Sequence, residues 1–227
     1  MNSGVVHRCI RQLLVISAMI VAIPAVSETL EHEEHADATA SVGLKTMRQL
    51  ARELVETGYY RKSIAVYEEI VRVRPDDARA QYELAATLAF LREYPRAVPP
   101  VEAAIRLEPD YLQAYRLAEI LYLNLKRFPD AFAAARKAAE LGDITAMFEL
   151  WVYYDEGRGV DANEQKAFQW LKRAATHGHL GAMKFMEKTY REGRYGQNVD
   201  LQRADLWAQR LHAAAREARE ERCREDC

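Results

Sequence analysis

Three short stretches of the chain hold residue types from which sites are made. "DEGRGV" (Asp155 to Val160) sets two glycines one residue apart among charges, "THGH" (Thr176 to His179) sets two imidazoles around a glycine, and "HEEH" (His32 to His35) sets two around a carboxylate pair. The first suggests a phosphate-cradling loop, the others metal ligation. A dinucleotide loop needs a third glycine and a preceding strand, whereas Gly157 and Gly159 follow a segment of helical period and read as turn residues adopting positive φ. A zinc site takes three or four ligands, and the sequence suggests no third beside His177 and His179. His32 and His35 do not follow the His-Glu-x-x-His order of zinc proteases. No Ser-His-Asp or Cys-His arrangement stands out, and the many carboxylates lie among Lys and Arg at helical spacing, as in solvated faces with i,i+4 ion pairs. The expectation is a protein that is not an enzyme and needs no cofactor or metal.

The chain has 227 residues, 49% hydrophobic and 29% charged, which excludes both a disordered polymer and a multi-span membrane protein. A formal net charge of −2 gives no bulk case for nucleic acid as a partner. Arg8 and Arg11, the uncharged run Leu13 to Val26 and the small residues up to Ser27 form the pattern of a secretory signal peptide over residues 1–27. That run is shorter than the ~20 apolar residues of a membrane-spanning helix, so no stable span is expected after cleavage. The expected location is periplasmic or secreted. Cys9 would leave with the signal, and Cys223 and Cys227 remain in the last turn. A bridge between them requires the helix end to fray, and free thiols or pairing with another chain stay open.

The elements that must carry these residues repeat. Tyr60, Tyr94 and Phe128 are spaced 34 apart, as are Ser63, Ala97 and Ala131, and Pro75 recurs as Pro109. A fixed period of this length marks a solenoid. Within a period, Met47, Leu50, Ala51 and Leu54 share one helical face and Ile64, Tyr67, Ile70 and Val71 another. Gly58 divides the two helices and Pro75 ends them. Pro99 and Pro100 predict a late start or a kink in one helix. From about residue 143 the period lengthens: Ala146, Tyr154 and Gly157 recur 36 residues on as Ala182, Tyr190 and Gly193, while Trp170 and Trp207 are 37 apart, one residue having entered the turn.

The 34-residue units resemble the tetratricopeptide repeat, the second most closely through Leu84, Ala85, Leu88, Tyr94, Ala97, Ala104 and Pro109; the third departs with Glu119 where a small residue is usual. The later units resemble the Sel1-like repeat through Ala146, Leu150, Tyr154, Gly157, Gly159, Val160, Lys166, Ala167, Trp170, Ala174, Ala175 and Gly178, with Trp151 where that family usually has glycine. The resemblance implies an all-α, right-handed helical-hairpin solenoid of about ten helices. The expected divisions are a signal at 1–27, a disordered acidic tail at 28–43, three tetratricopeptide units at 44–142, two Sel1-like units at 143–215 and a polar helix end at 216–227.

In such solenoids the first helix of each pair lines the concave groove. By that register the groove holds Lys45, Arg48, Arg52, Arg79, Tyr82, Phe90, Arg116, Ile120, Leu123, Lys184, Lys188 and Arg191, a basic strip interrupted by aromatic and aliphatic residues. It differs from the carboxylate clamp of some family members, since Arg52, Glu83, Gln113 and Leu117 stand at clamp positions. The resemblance implies a cell-envelope scaffold or adaptor that binds an extended protein segment along the groove. An anionic polysaccharide held during exopolysaccharide export is the alternative. A secreted hydrolase-like Sel1 protein is the third option.

Overall fold

Helix starts and stops fall where the side chains demand them. The computed structural model describes residues 31–225. Within that range ten α-helices follow one another with no strand between them: α1 Glu31–Glu56, α2 Tyr60–Val73, α3 Ala78–Phe90, α4 Tyr94–Leu107, α5 Leu112–Asn124, α6 Phe128–Glu140, α7 Ile144–Glu156, α8 Glu164–Thr176, α9 Leu180–Glu192 and α10 Leu201–Glu225. The repeat aromatics Tyr60, Tyr94 and Phe128 open α2, α4 and α6. Polar caps open others: the side chains of Asp77, Asp143 and Asn163 accept from the backbone N–H three residues on, at 3.1, 2.6 and 2.8 Å, and His179 does so through Nδ1 at 3.1 Å. Each satisfies one of the donors that a helix leaves unpaired at its start.

The chain divides into two compact units, Met1–Lys45 and Thr46–Cys227. The expected signal at 1–27 lies outside the described residues, as do residues 28–30. From Glu31 on, the segment expected as a disordered tail is helical, as the first part of α1. Ala36, Ala38 and Ala40 favour helix.

In the second unit α3 pairs with α4, α5 with α6, α7 with α8 and α9 with α10, and each hairpin packs chiefly on the next. This is the nearest-neighbour construction of a solenoid. Ser63, Ala97 and Ala131 are fully buried where two helices approach, and the Ser63 hydroxyl donates to the Ala51 carbonyl at 2.9 Å. Larger side chains there would overpack the contact by ~1–3 kcal/mol.

Of the late start or kink expected from the paired prolines of α4, the late start is not found. The helix starts at Tyr94 and runs to Leu107 through Pro99 and Pro100, with no late start. Pro100 is buried on the face that carries Ala97, Val98, Val101 and Ala104. Burying that face against neighbouring helices offsets two missing N–H groups, because tertiary packing rather than backbone propensity decides most helices.

The longer turns of the later hairpins lock back on their own first helix. Gly157 and Gly193 end α7 and α9 in the left-handed conformation, at φ 68° and 70°. The Asn163 N–H then reaches the Tyr154 carbonyl, and the Asp200 N–H that of Tyr190, both at 2.8 Å. The residue inserted between Trp170 and Trp207 is accommodated inside the second of these turns. Gly159 (φ 72°) has a further duty: a Cβ there would stand 2.3 Å from the Phe128 carbonyl oxygen. The turn therefore seats directly on the backbone where α6 begins.

Candidate functional site

The register predicted for the groove places its residues on the odd-numbered helices, and the structure brings one group of them together in the second unit. Arg52, Val55 and Glu56 of α1, Tyr60 and Tyr67 of α2 and Glu83, Ala86, Thr87 and Phe90 of α3 line a cleft of about 330 Å³. Its wall is Phe90, 64% exposed, with its ring 4.3 Å from that of Tyr60. A phenylalanine this exposed at the end of a packed helix is held by a ring neighbour, not by burial. At the floor, burial raises the Tyr67 hydroxyl above its ordinary pKa of 10, helped by the charge of Glu83 and opposed by that of Arg52. The cleft thus offers an aromatic wall and apolar lining with Arg52, Glu56 and Glu83 around it.

The remaining predicted cations are not a bare positive strip. Arg48 pairs with Asp77, Arg79 approaches Glu83 at 3.9 Å, Lys188 lies 3.8 Å from Glu192, and Arg191 bridges Glu187 at 2.9 Å and Asp205 at 3.5 Å. Helical spacing supplies the reason: an acid four residues away, or at the cap of the next helix, reaches the base before any partner does. Lys184 is exposed on α9, and Lys45 is exposed in the first unit. Tyr82 packs its ring 5.1 Å from Tyr111. Ile120 is 48% exposed and Leu123 half-buried. Cys223 is exposed on α10, and Cys227, its expected partner, lies outside the described residues.

Arg116 is the most engaged of the predicted residues, and its partners were missed. It binds Glu119 of its own helix at 3.0 Å and Glu149 of α7 in a bidentate contact, and it comes within 3.9 Å of Asp143. Glu119, only 2% exposed, also accepts from the Tyr153 hydroxyl at 3.0 Å. Burial and the neighbouring Glu149 carboxylate push Glu119 up to about 8, over the opposing pull of Arg116 and Tyr153. The sequence carried one sign of this cluster, the acid at position 119 where the repeat wants a small residue; that Glu149 and Tyr153 would meet it needed the packing of α5 on the next hairpin.

The other departure from the repeat pattern is also filled structurally. Trp151 packs on Phe148 and Phe185, ring centroids 4.9 and 4.4 Å away, and donates its indole N–H to the Tyr195 hydroxyl at 2.9 Å. Tyr195 in turn donates to Asp155 at 2.8 Å. His179 stacks on Phe148 at 4.3 Å. Burial lowers its pKa below 6.5, against the raising effect of Glu149. That keeps the imidazole neutral, as its capping role requires. Among the described residues no group of three His, Cys, Asp or Glu is placed to hold a metal ion, and no helix is long and apolar enough to cross a membrane.

The Sel1 repeat family model matches residues 144–179, which spans α7, its turn and α8 up to the cap of α9. A Sel1 repeat protein from Oxalobacter formigenes is 25% identical, with a TM-score of 0.51 over 67% of this chain and 64% of its own. MamA from Desulfovibrio magneticus RS-1 is 20% identical, with a TM-score of 0.55 over 77% of this chain and 96% of its own. YrrB, described as a tetratricopeptide-repeat protein with an unusual peptide-binding site, is 18% identical, with a TM-score of 0.53 over 76% of this chain and 89% of its own. Over its described residues the chain therefore has the all-helical repeat fold of the tetratricopeptide and Sel1-like proteins, with a Sel1 repeat at residues 144–179.

Proposed function

We propose that the protein is a non-enzymatic scaffold of the cell envelope that binds an extended protein segment along its odd-numbered helices, anchored at the cleft beside Phe90. The observation that carries this reading is the exposed Phe90 ring over an apolar-lined cleft of about 330 Å³. Aromatic anchors in preformed pockets supply most of the energy in such recognition, and surrounding charges supply orientation. Arg52 meets a carboxylate of the segment, while Glu56 and Glu83 select against a second acid next to it. Ile120 and Leu123 extend the apolar track beyond the cleft. YrrB, which shares the fold, is described as binding peptide, which supports the reading by analogy alone.

The paired state of Arg48, Arg79, Arg116 and Arg191 leaves an anionic polysaccharide little unopposed charge to hold, so the protein segment is favoured over it. Envelope location rests on the signal pattern at 1–27 and is tested by cell fractionation. The site is tested by placing a photo-crosslinking amino acid at position 90 and, as a control, at exposed position 136 on α6. Adducts at 90 that vanish in Arg52→Glu, with an unchanged thermal melt, support the cleft. Absence of adducts at 90, or equal adducts at 136, removes it.

A further inference from the structure

One buried acid stands at the seam where the repeat length changes. Glu119 of α5 is 2% exposed and faces α7, the first helix of the Sel1 repeat. The groups around it come from several elements. Its own helix supplies Arg116 at 3.0 Å, and α7 supplies Tyr153 at 3.0 Å and Glu149, which shares Arg116. The α6–α7 turn supplies Asp143, 3.9 Å from Arg116. From α6 comes a ring, not a charge: Phe132, in edge contact with Tyr153 at 5.8 Å. On α4, Glu102 accepts from Tyr122 at 2.8 Å, and on α3, Glu83 is approached by Arg79; both are engaged on other faces. From α9, the capping His179 feels the charge of Glu149.

One guanidinium cannot balance three carboxylates. Arg116 meets Glu149 with two nitrogens and Glu119 with one of the same two, so a single positive charge is divided between Glu149, Glu119 and the nearby Asp143. Asp143 is held by the start of α7, where the Ala146 N–H and the helix dipole favour its charge. Glu119 has no such helix end, and a buried charge with only a share of one guanidinium is costly. A proton on Glu119 resolves the conflict. The neutral acid can share its proton with Glu149, since both carboxyl groups contact the same Arg116 nitrogen, and it still accepts from Tyr153 and Arg116. Every polar group is then satisfied with one shared proton between two carboxyl groups.

We propose that the seam between the third and fourth hairpins is a proton-dependent joint, in which Glu119 is stored as a carboxylic acid bridging α5 to α7 and its ionisation loosens the packing of these two helices. The direction follows from linkage. In the unfolded chain Glu119 loses its proton near the ordinary carboxylate value; in the folded chain it keeps it to about 8. Between those values the folded state alone holds the proton, so stability falls as pH rises and levels off above about 8. The state of the joint decides how firmly α7, and with it the Sel1 repeat, is tied to the hairpin before it.

The test compares the full chain with Glu119→Gln, which keeps the shape and donates to Glu149 at every pH. Melting temperatures from pH 5 to 9 are expected to fall for the native chain up to about pH 8, relative to the variant. Hydrogen exchange, corrected for its intrinsic pH dependence, should quicken with pH in α5 and α7 and not in α2 and α3, in the native chain only. Parallel melting curves for the two proteins, or quickening spread evenly over all helices, would overturn the proposal. Should Glu119→Gln not fold, infrared difference spectra of the native chain decide: a protonated-carboxyl carbonyl band present at pH 6 and lost by pH 9 supports the joint, and its absence at pH 6 refutes it.

Discussion

Gly159 is where the longer Sel1 turn touches the preceding hairpin, and replacing it by alanine measures that contact. The new Cβ would lie 2.3 Å from the Phe128 carbonyl oxygen, 2.4 Å from its carbon and 2.8 Å from the Pro129 nitrogen. All three are backbone atoms at the start of α6, so no side chain can swing aside. The φ of 72° adds the strain of a left-handed alanine. The conformational part costs ~1–2 kcal/mol and the overlap a further ~1–3 kcal/mol. Gly178→Ala separates the two, because its φ is 99° yet nothing lies within 4 Å of its Cβ. Urea titrations of both variants should show Gly159→Ala destabilised beyond Gly178→Ala by ~1–3 kcal/mol. A repeat array need not unfold in one step, so amide exchange in α6, α7 and α8 should be followed alongside. If the two alanine variants lose the same stability, the turn does not press on α6 and the account of the inter-hairpin contact is wrong.

Three further outcomes follow from single contacts. Asn163→Ala removes the cap of α8, where Asn163 accepts from the Lys166 N–H at 2.8 Å, and should lower stability by ~1 kcal/mol in a denaturant titration. Pro99→Ala restores a missing N–H to α4 at an exposed position and should raise stability, by up to ~3 kcal/mol, while Pro100→Ala should raise it less because Pro100 is buried. His179 caps α9 through an unprotonated Nδ1 and is held below its ordinary pKa of 6.5. Its stabilising effect is complete above 6.5 and is lost as pH falls through the lowered folded value. His179→Asn, which caps at any pH, should flatten the acid side of the melting curve relative to the native chain.

The fold was legible because repetition multiplies weak signals. Tyr60, Tyr94 and Phe128 each mark a helix start, and their common spacing fixed three hairpins at once. The spacing of Trp170 and Trp207 marks the one residue inserted in the second long turn. The α4 prolines did not delay the helix, because two missing hydrogen bonds were set against a buried face of five residues. The candidate site was legible in outline only. Register placed Arg52 and Phe90 on one surface, and they do line one cleft. It could not place the acids. Asp77, Glu149 and Asp205 reach their arginines across helices, and partners in different elements leave no spacing to read.

The two departures from the repeat pattern, Glu119 and Trp151, sit at corresponding places in consecutive first helices, each the eighth residue from its start. A small residue there lets one hairpin slide against the next within the limits of packing. Glu119 replaces that smooth contact with directional bonds to Tyr153 and Arg116. Trp151 replaces it with a ring locked by Phe185 and by the Tyr195 hydroxyl from the following turn. Both substitutions fix register between neighbours, one through a proton and the other through shape. Because each hairpin contacts chiefly its neighbours, fixing two successive seams makes the third, fourth and fifth hairpins one stiffer segment. The first two hairpins meet through other groups, the Arg48–Asp77 and Arg96–Glu68 ion pairs and the Tyr60–Phe90 ring contact. The cleft beside Phe90 is lined by the first two hairpins, while ionising Glu119 acts on the seam between the third and fourth. A substitution at Glu119 should therefore leave binding at Phe90 intact, and one at Phe90 should leave the pH dependence of melting intact; coupling between the two would mean that the seams transmit more than nearest-neighbour packing allows.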